Sequence, residues 1–390
     1  MNNIFTTTGI KNIQSGDHVY FIDDNIKMSS AIIDKIDTIH YNTYYKISTH
    51  SGNIICGNDF NVYTCNLCNF NDNYGYDKVI TTKKPSDLSI GDLLLTPYFG
   101  VSKGMSNENI LIDILPIVEE IITNHEKYDK YKVSYDDLTI SILCPNGKKT
   151  SPMLRRVNIK SLLEIMAWYI TEGWCSNQWM KNKSASRFSA SLSQSLYKNF
   201  ENSESIIENI KNLGIELGIT YSDQKENGIP KETEYRFSSI MSVLMYSCGC
   251  SSREKHIPTW MMNILNCYPD QIYNFLSTMV AGDGHYNYIS NMYSYITNSH
   301  ELAKDMTYLI MKLGFYVKII EPKKINGVYT ICFGNTGRKQ GLVKYNDTAL
   351  TKITNIEVIN EPADIELPSC SGGIFVGEFG NILIKTPQKQ

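Results

Sequence analysis

This 390-residue chain lacks any apolar run approaching the ~20 residues of a membrane span, since its longest uncharged stretches, 93–101 and 272–281, fall well short. The opening MNNIFTTTG has neither the basic nor the apolar region of a secretory signal, and no lipidation motif stands at either end. These absences predict a soluble, intracellular protein without membrane contact, located wherever its partner resides. Ten cysteines then read as free thiols, because a chain of this length can bury its own core without disulfide staples. Metal-ligand spacing is also missing. Cys65-x-x-Cys68 has no completing pair, Cys248-x-Cys250 being unsuitably spaced and in another predicted region, and His18, His40, His50, His256, His285 and His300 form no set. The run Gly334-Asn335-Thr336-Gly337-Arg338-Lys339 lacks the Gly-Lys-Ser/Thr ending of a phosphate loop.

A large net charge is absent too, at −3 with a pI near 6.2, but the average hides a strong asymmetry. Residues 144–345 carry 23 Lys and Arg against 16 Asp and Glu, a net +7, leaving −10 on the flanks. A basic module of this kind, set between acidic flanks, suits an anionic partner.

The patterning divides at the same places. Residues 1 to about 100 read as short strands (HVYFID, SAIIDKID, YYKIST, NIICGN, VYTCN, KVITT), and KNIQSGDHV and DLSIGDLLLTP look like paired turns of one β-domain. The last 45 residues return to this style with TKITNIEVI, ADIELPS, GIFVGE and NILIK, so one β-domain split by an insertion, or two separate sheets, is expected. Between them lies a duplication. VNIKSLLEIMAWYITEG (157–173) and QIYNFLSTMVAGDG (271–284) are helices with the same ending. Each precedes a polar hairpin, then a helix opened by Ser and closed by Gly (203–218, 299–314), then closing strands, EYRFSSI in the first copy and FYVKII with GVYTICFG in the second.

Both motif helices end in an acid followed by glycine, Glu172-Gly173 and Asp283-Gly284. An acid at the negative end of a helix dipole costs ~0.3–1 kcal/mol, an arrangement that a bound divalent cation offsets. Two such helices side by side would bring both carboxylates to one interface, and the small residues Ala167, Thr171, Ser277, Ala281 and Gly282 permit that approach.

ITEG and LSTMVAGDG resemble the two motif copies of LAGLIDADG (dodecapeptide, DOD-type) homing endonucleases in their single-chain, intein-borne form. REKHIPTWM (253–261) resembles the block whose Lys-x-Ile-Pro core carries a catalytic lysine, and NSHELAKDMTYLIMKLGF resembles the helix after the second motif. The flanks are similar to the blocks of a Hint splicing domain. The resemblance implies an α+β fold: a duplicated αββαβ saddle inserted in an all-β Hint-like domain, with boundaries 1–104, 105–345 and 346–390. It implies a monomer with internal pseudo-two-fold symmetry that binds double-stranded DNA. It further implies a Mg²⁺-dependent endonuclease in which Glu172 and Asp283 are catalytic and hold the metal with Gly173 and Gly284, assisted by Lys255. A second lysine is expected among Lys318, Lys323, Lys324 and Lys344.

For DNA contact the candidates are Lys181, Lys183, Arg187, Ser189, Ser191 and Gln194 on and near the first hairpin, with Lys323 and Lys324 in the second half. An exposed polar hairpin with no DNA role would carry the same hairpin residues. Lys148, Lys149, Arg155 and Arg156 suit phosphates. Splicing is expected to be lost. The chain starts at Met1, the family's Thr-x-x-His is replaced by Gly57-Asn58-Asp59-Phe60, and Lys385-Thr386 stands for the terminal His-Asn. A non-cleaving DNA-binding protein of this fold, or a still-splicing intein with altered ends, are the alternatives.

Overall fold

The computed structural model describes residues 3–6, 8–22, 28–71, 75–97, 110–124, 130–175, 189–195, 200–215, 217–221, 225–226, 229–230, 232–322, 327–334, 348–368, 373–380 and 382–385. The chain divides into two compact units. One comprises residues 1–102, 286–294 and 303–390; the other comprises 103–285 and 295–302. None of the described helices is long and apolar enough to cross a membrane.

In the first unit both flanks build a single 12-stranded sheet. Asn3–Thr6 and His18–Ile22 pair with Gly373–Gly377, Asn61–Asn71 pairs with Ile382–Lys385, and Thr348–Ile359 lies between Leu93–Pro97 and Tyr44–Thr49. The pairing of Leu93–Pro97 with Thr348–Ile359 runs to Pro97 opposite Thr348, so the chain leaves this ladder and returns to it at one point. The sheet buries one core to which both ends contribute: Ile4, Val19, Ile47 and Val62 from the first flank, Ile353, Ile374 and Ile384 from the second. Alternation along the strands sets this burial, as in Gly52–Cys56, where every second residue is inside.

The two Gly-Asp turns are built alike. Gly16 and Gly91 adopt left-handed φ values of 90° and 102°, which only glycine takes without strain. Asp17 accepts from the Gln14 amide and pairs with Lys11 (2.6 Å); Asp92 accepts from the Ser89 amide and pairs with Lys83 (2.9 Å). SAIIDKID is not one strand but two, Met28–Ile32 and Ile36–Tyr41, the latter pairing with Ala363–Pro368.

Seven helices occur among the described residues: α1 (Leu115–Asn124), α2 (Ile159–Glu172), α3 (Phe200–Asn212), α4 (Ser239–Tyr246), α5 (Thr259–Cys267), α6 (Asp270–Asp283) and α7 (His300–Lys312). The duplication is explicit in the strand order. Gly173–Cys175, Ala190–Ser195, Glu232–Arg236 and Gly218–Tyr221 form one four-stranded sheet in that order, and Gly284–Asn287, Met292–Thr297, Tyr329–Gly334 and Tyr316–Ile320 form another. In both, the third strand in sheet order is the last in sequence. After its second helix each repeat gives its sheet two strands, as FYVKII and GVYTICFG indicate for the second copy; in the first, α3 ends at Asn212 instead of reaching 218, and a short Lys225–Glu226/Ile229–Pro230 ladder stands between the two. Helices α3 and α7 are both followed by glycines in the left-handed region, Gly214 (62°) and Gly314 (72°), and the Ser299 hydroxyl caps α7 by accepting from the Leu302 amide.

Candidate active site: the ends of two packed helices

Helix α2 is apolar on nearly every side and, apart from Lys160 and Glu164, is buried between Ile159 and Ile170, as a helix must be that packs on both a partner helix and a sheet. Its start is fixed by Asn158, whose side chain accepts from the Ser161 amide at 3.1 Å. Helix α6 lies against it, buried through Ile272, Phe275, Leu276 and Met279. The two helices come close near their ends, where a Cβ on Gly282 would stand 2.5 Å from Thr171 Oγ1 and 2.7 Å from its Cβ. Thr171 turns its hydroxyl back onto the Ala167 and Trp168 carbonyls, leaving its small methyl-bearing side chain at the contact. Of the small residues expected at this interface, Ala167, Thr171 and Gly282 serve it or are buried, whereas Ser277 and Ala281 are exposed.

Neither motif glycine acts as a left-handed cap. Gly173 (φ −98°) and Gly284 (φ −124°) are extended, each starting a strand directly from the helix end. For Gly173 the reason for glycine is crowding, because a Cβ there would lie 2.6 Å from the Tyr169 main-chain oxygen and 2.9 Å from its Cα.

The two acids therefore finish neighbouring helices. The Glu172 carboxyl is pushed above its ordinary range by burial, opposed by a hydrogen bond from Gln194 and reinforced by the charge of Glu232. Asp283 is solvent-exposed as a residue, yet its carboxyl is pushed up to about 6, first by the protein atoms around it and then by the charge of Glu172. Like charges brought together this way bind a cation or share a proton. Among the described residues no cluster of three His, Cys, Asp or Glu side chains could hold a metal alone, so any ion here needs ligands beyond these two carboxylates.

Lys255 is 3% exposed. Its Nζ donates to the Tyr169 carbonyl at 3.0 Å and lies 3.4 Å from the centroid of the Tyr169 ring. Burial pushes it down to about 8, partly offset by Cys248, Cys175, Cys250 and Glu254. The same tyrosine hydroxyl contacts Cys175 Sγ at 2.7 Å and donates to the Gly249 carbonyl at 3.0 Å, tying the loop before Lys255 to the end of α2.

Several expected DNA contacts are placed otherwise. Strand alternation puts Gln194 on the helix-facing side with Ala190 and Leu192, 3% exposed and bonded to Glu172, rather than with Ser191 on the opposite side. Ser191 is itself buried, at the middle of a row across three strands, Trp174–Ser191–Arg236. Trp174 and Arg236 are the exposed members of that row, a signal hidden in the sequence because it depends on register. Arg155 is not available for phosphate: its guanidinium grips Asp113 through two nitrogens at 2.6–3.0 Å and holds that carboxyl below its usual range. Lys148, Lys149 and Arg156 are exposed, and Ser189 is half-buried. Lys318 is half-buried near His50, whose pKa is lowered by burial and then by Lys318 and Lys352. Lys181, Lys183, Arg187, Lys323, Lys324 and Lys344 lie outside the described residues.

Residues 270–347, which begin with α6, match the LAGLIDADG-like domain. No curated protein matches the chain. Solved structures similar to part of it include I-DmoI in complex with DNA and Mn, at 15% identity and a TM-score of 0.32 over 45% of this chain and 91% of that one. The N-terminal LAGLIDADG domain of DUF199/WhiA is 11% identical, TM-score 0.28, over 44% and 75%. The homing endonuclease I-WcaI bound to its DNA recognition sequence is 14% identical, TM-score 0.27, over 45% and 76%. Likeness this loose decides nothing about activity.

Proposed function

We propose that this protein is a site-specific double-strand DNA endonuclease of the homing type, hydrolysing phosphodiesters with Mg²⁺ at Glu172 and Asp283. The observation that carries this reading is the pair of acids ending helices packed as closely as Thr171 on Gly282, with the charge of one raising the pKa of the other. The match of residues 270–347 to the LAGLIDADG-like domain supports it.

The surroundings suit a hydrated cation. Gln194 Oε1 and the Tyr295 hydroxyl are buried without a hydrogen-bond partner among the described residues, which is costly unless bound waters reach them. Glu172 and Asp283, with the main-chain carbonyls of Gly173 and Gly284, would hold the ion. When bound it would neutralise the phosphate and lower the pKa of a coordinated water. The chain's own groups then have distinct tasks. The two carboxylates orient that water and draw on its protons, Gln194 fixes the Glu172 carboxylate by hydrogen bonding, and Lys255 supplies positive charge beside the end of α2. Outside the acid pair, Lys148, Lys149 and Arg156 are the exposed cations assigned to phosphates, and Trp174 and Arg236 to the groove-facing side of the first sheet.

The 12-stranded sheet serves, in this reading, as a Hint-derived scaffold that no longer splices. At the position of the activating histidine stands Phe60, fully buried and packed against Tyr41 at 6.0 Å between ring centroids. A phenyl ring neither donates nor accepts a proton there.

Incubation of the purified chain with Mg²⁺ and a randomised duplex library, followed by sequencing of cut ends, tests the proposal. One enriched break site that vanishes with Glu172→Gln is expected. Binding of a defined sequence without any cut would instead favour the DNA-binding alternative.

A further inference from the structure

Tyr295 belongs to the strand Met292–Thr297, the second in its sheet, just as Gln194 belongs to the second strand of the other sheet. Each of these strands follows a motif helix, and each carries a buried polar side chain within the electrostatic reach of the acid pair. Gln194 bonds Glu172. Tyr295 is 0% exposed, and after burial itself the strongest influences on its phenol are the charges of Asp283 and then Glu172. Its hydroxyl has no hydrogen-bond partner among the described residues. A buried, unpaired hydroxyl weakens a fold unless something occupies the site in the working state. A phenylalanine would fill the same volume at no such cost.

We propose that the Tyr295 hydroxyl donates a hydrogen bond to the water held between Glu172 and Asp283, orienting it for attack on the scissile phosphate. The inference rests on the acid-pair reading above and adds to it a residue of this chain. Donation by the phenol occupies one lone pair of the water. As one carboxylate takes a proton from it, the oxygen gains a third lone pair, so that one accepts from the phenol, one would face the cation and one faces the phosphorus, while the second carboxylate holds the remaining proton. The phenol keeps its own proton throughout, since the nearby carboxylates oppose its ionisation. The duplication is thus functionally unequal: an amide braces the first acid, while a phenol serves the second.

The test compares Tyr295→Phe with Glu172→Gln and Asp283→Asn in the full chain. Melting is measured in EDTA, and Mn²⁺ affinity by the free-ion paramagnetic resonance signal. Tyr295→Phe should melt at or above the wild-type temperature in EDTA yet bind Mn²⁺ about tenfold more weakly, as loss of a group hydrogen-bonded to a metal ligand does. A lower melting temperature, which reveals a structural partner for the hydroxyl, or unchanged Mn²⁺ affinity, overturns the assignment. Should both acid variants lose Mn²⁺ while Tyr295→Phe does not, only the tyrosine role falls. Should the acid variants bind as wild type, the metal reading falls with it.

Discussion

The ammonium of Lys255 is bonded to the main-chain carbonyl of Tyr169, one turn before Glu172, and that carbonyl also accepts the amide of Gly173. A cation is thus stored under the end of the motif helix at a position where burial disfavours its charge.

Replacing Lys255 by Met should stabilise the protein while abolishing cleavage. The lysine sits at about 8 instead of its usual 10.5, so the folded chain carries the cost of its charge fully below pH 8 and loses it as pH rises toward 10.5. The gain should be about 2–3 kcal/mol at pH 7 and shrink above pH 9. The Tyr169 carbonyl remains satisfied by Gly173, so the variant leaves no orphaned acceptor. Chemical denaturation across pH checks this, and a less stable variant at pH 7 would contradict it.

The acids should show the opposite pH trend in metal-free protein. Asp283 rises from 3.8 to about 6, so its ionisation opposes folding above about pH 6 and costs nothing below about pH 4. Asp283→Asn should therefore add roughly 1 kcal/mol near neutrality, discounted for the residue's exposure, and nothing at pH 4. Saturating Mg²⁺ should erase or reverse the difference, which thermal melts with and without EDTA can read.

Gly282→Ala normally strengthens a helix, but here the added methyl meets Thr171 within 2.5–2.7 Å. A loss of about 1–3 kcal/mol is expected from overpacking, with partial recovery when Thr171 is changed to Gly in the same chain. Equal and additive effects of the two substitutions in urea melts would show that the helices do not touch there.

Binding to duplex DNA should weaken steeply with salt, because the +7 segment 144–345 must displace condensed counterions as it covers phosphates. Arg155→Ala should leave the slope of log affinity against log salt unchanged, its guanidinium being committed to Asp113, whereas Lys148→Ala with Lys149→Ala should flatten it. Titrations at several salt concentrations distinguish the two.

The repeat pattern was legible because it rests on local signals, helix periodicity with Ser before and Gly after α7; the bounds of α3 were less so, since it runs Phe200–Asn212 with Gly214 behind it and not 203–218. So was the shared style of the two flanks, although only pairing such as Ile384 with Val62 joins them in one sheet. The misses depend on neighbours. EYRFSSI reads as one strand, yet Ser239–Tyr246 is a helix whose Ile240 through Met245 are all buried, so tertiary burial overrides β-propensity. Gln194 looked like a reader of bases because alternation alone does not say which face meets the helices. Arg155 looked free because Asp113 lies far away in sequence.

Pro97 and Thr348 stand opposite each other at the end of their ladder although about 250 residues separate them in sequence. A short turn joining those two residues would close an uninterrupted hairpin, so the two strands need none of the intervening chain to keep their register. The intervening chain nevertheless covers part of this unit's core, because without it Phe5 would lose the Tyr308 ring now 5.0 Å away and leave an apolar patch bare.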